Sequence, residues 1–295
     1  MTSRTRIAVL LAASLLALAG CGSDDTTAQD QQPTSSGTGH GSSATPSDDS
    51  SPSATPTADQ VTVLVYFVGD TPQGPRLYRE FRRVDAADPL GGALTLAASG
   101  DALDPDYRTL LPAGTFSTSG DAAIPLPDDS WQKLPDGMRE ADAQLALQQL
   151  VYTAQGVLRS RDPITFTDAD GNATQVFYTA SEDGFTAADP IKTLALVSVT
   201  SPEQGATVSG SFTASGVSSS FEATTPWEIR DSSGKVVKKG SAMADGWMGK
   251  LYPWETDIDV SGLEPGDYTF VAMTDDPSGG EGGGPMVDSK DITIS

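Results

Sequence analysis

The sequence predicts an α+β domain followed by an all-β sandwich, both carried behind a disordered amino-terminal tether. Three observations predict it. Residues 60–186 mix two helical runs with short β-branched runs, and residues 187–295 are a series of short alternating runs separated by turn residues. Residues 22–59 are Ser, Thr, Gly, Pro, Asp and Gln almost to the exclusion of anything able to form a core.

At the amino terminus, Arg4 and Arg6 precede the apolar run Ile7 to Ala19. At about 13 residues this run is shorter than the roughly 20 needed to cross a bilayer, so residues 1–20 read as a signal peptide. Leu18-Ala19-Gly20-Cys21 resembles a bacterial lipobox, and Cys21 is the only cysteine of the chain. The resemblance implies diacylation of the Cys21 thiol, palmitate-type anchoring and a lipoprotein on the extracytoplasmic face of the plasma membrane. Two or more acyl chains make such an anchor stable, at about 0.8 kcal/mol per buried methylene. Residues 21–59, the lipidated Cys and its linker, then span on the order of 35 Å as a flexible chain. Six Asp and no Lys or Arg in residues 22–59 add self-repulsion.

In the first domain, residues 60–186, Val61 to Val68 is β-branched and aromatic throughout and closes on Gly69-Asp70, which predicts a buried strand. Leu77 to Val84 is its hairpin partner. Asp88 caps a short helix over Pro89 to Ala98, with Pro89 in its first turn. Phe116 to Leu126 is expected as two short strands turning at Ser119-Gly120-Asp121. Ala143, Leu147, Leu150, Val151, Ala154 and Leu158 form one stripe of a helix from Arg139 to Leu158, with Glu140 and Asp142 at the positive end of its dipole. Strands at Pro163 to Thr167 and Thr174 to Tyr178 are expected to flank a turn at Asp168 to Gly171. Together these give two helices over one face of a mainly antiparallel sheet.

In the second domain, residues 187–295, seven strands are expected: Leu194 to Val199, Thr207 to Ala214, Glu222 to Arg230, Val236 to Gly240, Glu255 to Val260, Asp267 to Thr274 and Ser289 to Ile294. This spacing, with no helical run, predicts a sandwich of immunoglobulin type. Tyr268 is placed as a tyrosine-corner residue.

Several function classes are disfavoured. A net charge of −22 repels nucleic acid and anionic lipid as main ligands. The sole histidine, His40, lies in the tether, so the folded part lacks the commonest general base and any imidazole metal ligand. No catalytic residue, metal or cofactor is assigned. Asp168-Ala-Asp-Gly-Asn172 opens like a calcium loop without its closing Glu and reads as a β-turn. Asp275-Asp276 with Glu281 reads as a flexible loop tip. A carboxylate-dependent wall hydrolase is the remote catalytic alternative.

Candidate binding residues remain. Arg76, Arg79, Arg82 and Arg83 form the one basic cluster. Alternation puts Arg79 and Arg83 on one face with Phe81, and Arg82 on the other. Trp227 is in phase with Ile229 and reads as core. Trp247 and Trp254 are the surface candidates.

Val63-Leu-Val-Tyr-Phe67, the Arg-rich strand after Leu77, Leu111-Pro-Ala-Gly-Thr115 and Gln149-Leu-Val-Tyr-Thr153 resemble the GerMN domain of spore-germination and sporulation proteins. Its fold is similar to ring-building domains. The chain departs from the family in having Leu96-Ala-Ala-Ser-Gly100 where a Leu-Leu-x-Gly-Pro ending is usual. Ser201-Pro202, Phe221-Glu-Ala223, Trp227-Glu-Ile229, Pro253-Trp254 and Gly262-Leu-Glu-Pro-Gly-Asp-Tyr268 resemble the immunoglobulin-like domain of bacterial spore-germination proteins. The two resemblances imply a non-catalytic envelope lipoprotein that binds another envelope protein or a cell-wall component, with oligomerisation open. Similar GerMN-bearing lipoproteins beside membrane sensor kinases imply an alternative role as a sensor accessory.

Overall fold

The computed structural model describes residues 59–121, 123–276, 279–281 and 283–295. The signal peptide, Cys21 and the tether up to residue 58 lie outside the described residues. The described residues, from 59 onward, belong to one compact unit.

The first part is built on an antiparallel hairpin, β1 (Gln60–Gly69) and β2 (Arg76–Asp85), with Tyr66 opposite Arg79 and Val65 opposite Glu80. Helix α1 (Pro89–Ser99) begins as the sequence predicts: Asp88 Oδ1 accepts from the Gly91 amide at 2.8 Å, and Pro89 opens the first turn. Helix α2 (Glu140–Leu158) buries the predicted stripe from Ala143 to Ala154 against Val63, Val65 and Phe67 of β1.

Helix α2 also covers the free edge of β1. The Tyr66 amide donates to Thr153 Oγ1 at 3.1 Å, and Gln149 Nε2 donates to the Tyr66 carbonyl at 2.9 Å. One residue pair further along, Val68 and Arg108 exchange both backbone hydrogen bonds. An uncovered strand edge would leave these groups unpaired, and the polar side chains buried on α2 exist to satisfy them. Gly156 allows this approach, since a Cβ there would stand 3.2 Å from Leu64 Cδ2.

Two expected strand pairs did not form in full. Near residues 116–126 the backbone of Phe116 and Thr118 is satisfied by side chains of the first helix, Thr95 Oγ1 and Asp88 Oδ2, in place of a partner strand. Only β3 (Ala123–Pro125) is extended there, and it pairs in parallel with β4 (Thr165–Thr167). The expected strand at Thr174 to Tyr178 is cut short: beside the Asp168–Gly171 turn, Ala173 bridges Thr167 antiparallel and the Thr174 amide donates to the Phe166 carbonyl at 2.8 Å, and Val176 to Thr179 then form a tight turn. Phe177 and Tyr178 both have positive φ, 49° and 63°, with Val176 and Thr179 closing the turn by two 2.8 Å backbone bonds. The sheet of this part is therefore a two-stranded hairpin with a separate small ladder.

The second part opens with a four-residue helix, α3 (Pro190–Thr193), capped by Asp189, in a region expected to be free of helix. The sandwich has eight strands, one more than predicted: β5 (Val197–Ser201), β6 (Ala206–Val208), β7 (Ser211–Ser218), β8 (Thr224–Asp231), β9 (Val236–Met243), β10 (Tyr252–Asp259), β11 (Gly266–Met273) and β12 (Val287–Ile294). The extra strand arises because the run from Thr207 to Ala214 divides into β6 and β7, with Gly210 at φ 61° between them. One sheet is ordered β10-β7-β5, the other β6-β12-β11-β8-β9. Tyr268 Oη donates to the Glu264 carbonyl at 2.8 Å, the hydrogen bond of a tyrosine corner.

Two tryptophans in this core lie across glycines of the neighbouring strand. Trp227 is opposite Gly240 and Trp254 opposite Gly216, where an added Cβ would meet the indole rings at 2.4 and 2.7 Å. Trp254 is 3% exposed, so its expected place at the surface is corrected. Its parity with Ile258 explains the burial.

Candidate functional site

Strand β2 is the seam of the molecule. Its two faces meet different partners. On the inner face, Glu80 accepts from the amides of Leu103 and Asp104 at 3.0 and 2.9 Å, which fixes the loop after α1. That loop presents Asp104 to Lys290 of β12. Lys290 Nζ donates to Asp104 Oδ2 at 2.5 Å, Asp288 Oδ1 at 2.7 Å and Tyr107 Oη at 2.9 Å. Asp288 also accepts from the Tyr107 hydroxyl at 2.7 Å and from the Val199 amide at 2.5 Å. Burial pushes the Asp104 carboxyl up, with Lys290 pulling it part of the way back. Burial opposes the Lys290 ammonium, but the carboxylates of Asp288 and Asp104 override it and hold Lys290 above its ordinary value. This network ties the α+β part to the sandwich.

On the outer face, Arg79 points at β5 of the sandwich, and a cavity of about 170 Å³ opens beside it. Its walls are apolar and aromatic: Tyr66, Leu77 and Tyr152 from the first part, Leu194, Val217 and Leu251 from the second. The Tyr66 and Tyr152 rings stand 5.3 Å apart, and Tyr152 Oη is held by the Ala188 carbonyl at 2.6 Å. Burial pushes the Tyr152 hydroxyl up to about 12 and also raises Tyr66, where Arg79 and Arg161 oppose the rise. Both phenols are neutral at pH 7.

The polar groups of this cavity are unbalanced. Arg79 Nη2 donates to Thr200 Oγ1 at 3.0 Å and its guanidinium lies 5.6 Å from the Phe81 ring, while its buried Nε has no partner. Ser198, 3% exposed, likewise has a buried hydroxyl with no partner. Burial lowers the Arg79 pKa, though far too little to discharge a guanidinium. Arg161 and Lys250 line the same cavity from exposed positions, and no acidic side chain lines it. Nearby Asp189 is engaged by Lys192 at 3.9 Å.

The structure separates the basic cluster as alternation predicts. Arg82 lies on the inner face, paired with Glu80 and Asp101 at 3.3 Å each and donating also to the Asp101 carbonyl. Arg83 is exposed. Only Arg79 of the cluster reaches the cavity. Trp247 is 37% exposed and meets Phe221 edge-on at 5.3 Å, next to exposed Met248. Sequence reasoning missed Ser198, Arg161 and Lys250, which come from three separate segments. The calcium-like loop is a turn closed on itself: Asp168 Oδ1 accepts from the Asp170 and Asn172 amides at 3.0 and 2.9 Å. Among the described residues no cluster of acids could hold a metal.

Residues 196–281 match the family model for the immunoglobulin-like domain of bacterial spore germination (Gmad2), in agreement with the resemblance of this region. No curated protein sequence matches the chain. Among solved structures, the tandem GerMN domains of the sporulation protein GerM from Bacillus subtilis are 11% identical. That match covers 68% of this chain and 62% of GerM, with a TM-score of 0.34. CopC from Methylosinus trichosporium OB3b is 20% identical over 34% of this chain and 93% of its own, TM-score 0.23. The endo-beta-1,4-mannanase from Thermotoga petrophila is 14% identical over 54% and 36%, TM-score 0.28. At such scores these likenesses say nothing of ligand or activity.

Proposed function

We propose that the protein is a non-catalytic binding module of the bacterial cell envelope, anchored through acylated Cys21 to the outer face of the plasma membrane and held away from it by residues 22–59. The observation that carries this reading is the match of residues 196–281 to a germination-type immunoglobulin-like domain. The lone cysteine of the chain, set in a lipobox-like sequence behind an apolar run, supports the anchor. The buried Lys290 network supports a role as one rigid body, because it gives a partner a fixed surface shared by both parts. That partner is another envelope protein or a wall component.

Two experiments test the proposal. Wild type and Cys21→Ala are expressed in a Gram-positive host and fractionated. The wild type is expected in the membrane fraction and the variant in the soluble or secreted fraction, and equal partitioning would end the anchoring claim. Crosslinking in intact cells should capture envelope or wall proteins. Capture of a sensor kinase alone would favour the sensor-accessory role instead, and release of wall fragments by the purified protein would contradict the non-catalytic reading.

A further inference from the structure

We infer that the cavity between β2 and β5 is a binding site for a phosphoryl group carried on a small organic body. The inference deepens the reading of the protein as a binding module by naming a ligand class, and it is independent of the anchor.

A half-buried guanidinium beside Phe81, bonded to one hydroxyl and to no carboxylate, with Asp288 acting on it only through space while bound to Lys290, is incompletely compensated. The same molecule treats another buried cation differently: Lys290 is met by two carboxylates. Arg79 and Ser198, both in the wall of one cavity, carry two buried donors without a partner, Arg79 Nε and the Ser198 hydroxyl. Arg161 and Lys250 bring two more positive charges to it. In a chain of net charge −22, a cavity lined by three cations and no acid is a local reversal of sign.

An anion satisfies all four groups. Arginine's planar fork suits carboxylate and phosphoryl oxygens alike, and a hydroxyl donor serves either. Charge decides between them, since a phosphomonoester carries up to two negative charges against one for a carboxylate. The cavity volume of about 170 Å³ exceeds a bare phosphate and leaves room for a short carbon body against Leu77, Tyr66 and Leu251. Because the donors come from β2, β5, the segment after α2 and the loop before β10, the ligand would join both parts of the protein.

The test is calorimetric titration of the full-length protein, in neutral sugar detergent, with glycerol phosphate, inorganic phosphate and acetate at constant ionic strength. Glycerol phosphate is expected to bind and acetate to bind at least tenfold more weakly. Arg79→Met and Ser198→Ala should each weaken glycerol phosphate by roughly tenfold to a hundredfold, the loss of one charge-assisted hydrogen bond. Ser198→Ala should melt at or above the wild-type temperature without ligand, because it removes an unpartnered buried hydroxyl. Arg161→Ala with Lys250→Ala, both at exposed positions, gives a variant expected to fold normally and to lose affinity and its salt dependence together. Flotation with neutral vesicles doped with phosphatidic acid distinguishes a lipid headgroup from a soluble ligand: binding lost in Arg79→Met assigns the lipid source, and absence of flotation with intact glycerol phosphate binding assigns the soluble one. Acetate binding as tightly as phosphate compounds, or affinity unchanged in Arg79→Met and Ser198→Ala, overturns the inference. Failure here leaves the anchor standing, because fractionation of Cys21→Ala reads that claim separately.

Discussion

Replacing Lys290 by Met tests whether the two parts stand as one folding unit. Lys290 spends all three ammonium donors on Asp104, Asp288 and Tyr107, and the side chains of the two ion pairs are 5%, 2% and 1% exposed. Methionine keeps the length of the stem and removes the charge. Two carboxylates then share a site closed to water. Removing one partner of a buried pair costs about 3–5 kcal/mol, and the second stranded carboxylate argues for the upper end. Set against a total stability of about 5–15 kcal/mol for a typical domain, such a loss opens the seam first.

The pH dependence gives the loss a signature. Burial already raises Asp104, and loss of the ammonium raises it further. A carboxyl whose folded pKa lies above its unfolded value near 4 contributes stability below that value, which is lost as pH rises through the folded pKa. Lys290→Met should therefore regain stability between pH 7 and about pH 5, more than the wild type does. Urea denaturation followed by tryptophan fluorescence reads both parts, since Trp131 lies in the first core and Trp227 and Trp254 in the second. Two separated transitions at pH 7, drawn together at pH 5, are expected. A midpoint shift worth less than about 1 kcal/mol, or no recovery in acid, would refute the reasoning.

Three further outcomes are expected. In Gly216→Ala the new Cβ would stand 2.2 Å from the Ser198 carbonyl and 2.7 Å from Trp254, so backbone must move; a loss of about 1–3 kcal/mol or more is expected in urea denaturation. Thr153→Val, nearly equal in shape, strands the Tyr66 amide at the covered edge of β1 and should cost about 1–3 kcal/mol, with faster hydrogen exchange at that amide. Burial works against the Asp88 carboxylate, but hydrogen bonds from Thr118 and Gly91 prevail and hold its pKa below the usual carboxylate range. Its contribution is present above the unfolded value near 4 and fades as pH falls through the lower folded value, so Asp88→Asn should flatten the acid limb of the stability profile measured between about pH 2 and 5.

What was legible in the sequence is what depends on local pattern. The hairpin β1-β2, the Asp88 cap with Pro89, the α2 stripe and the tyrosine corner each follow from residues close together in the chain. Strand parity separated Arg79 from Arg82, and applied to Trp254 and Ile258 it would have buried that tryptophan too. The two strand failures share one cause: backbone groups satisfied by partners distant in the chain. Phe116 and Thr118 look extended, yet Thr95 and Asp88 supply their partners. Phe177 and Tyr178 carry strand propensity, yet amide bonds to the Trp131 and Gln132 carbonyls hold them at positive φ. Nor could pattern show the seam. Asp288 and Lys290 alternate in phase with Ile292 and Ile294, and charged residues at a strand's start normally face water. They are buried because the loop fixed by Glu80 closes over them.

The seam and the cavity are two answers to one problem, a cation taken out of water. Lys290 is matched from both sides, and the energy of that match is available at all times to hold the parts together. Arg79, one strand face away, touches only a hydroxyl and a ring, with Asp288 acting on it through space. The hairpin cannot turn Arg79 outward without turning Leu77, on the same face, out of the cluster it shares with Tyr66, Val68 and Leu194. Its charge is thus fixed in place by the packing of its neighbours, which makes the site preorganised: an entering anion meets donors already oriented and loses little to reordering them. Since Arg79 belongs to β2 and Ser198 to β5, binding at that site would strengthen the same interface that Lys290 closes.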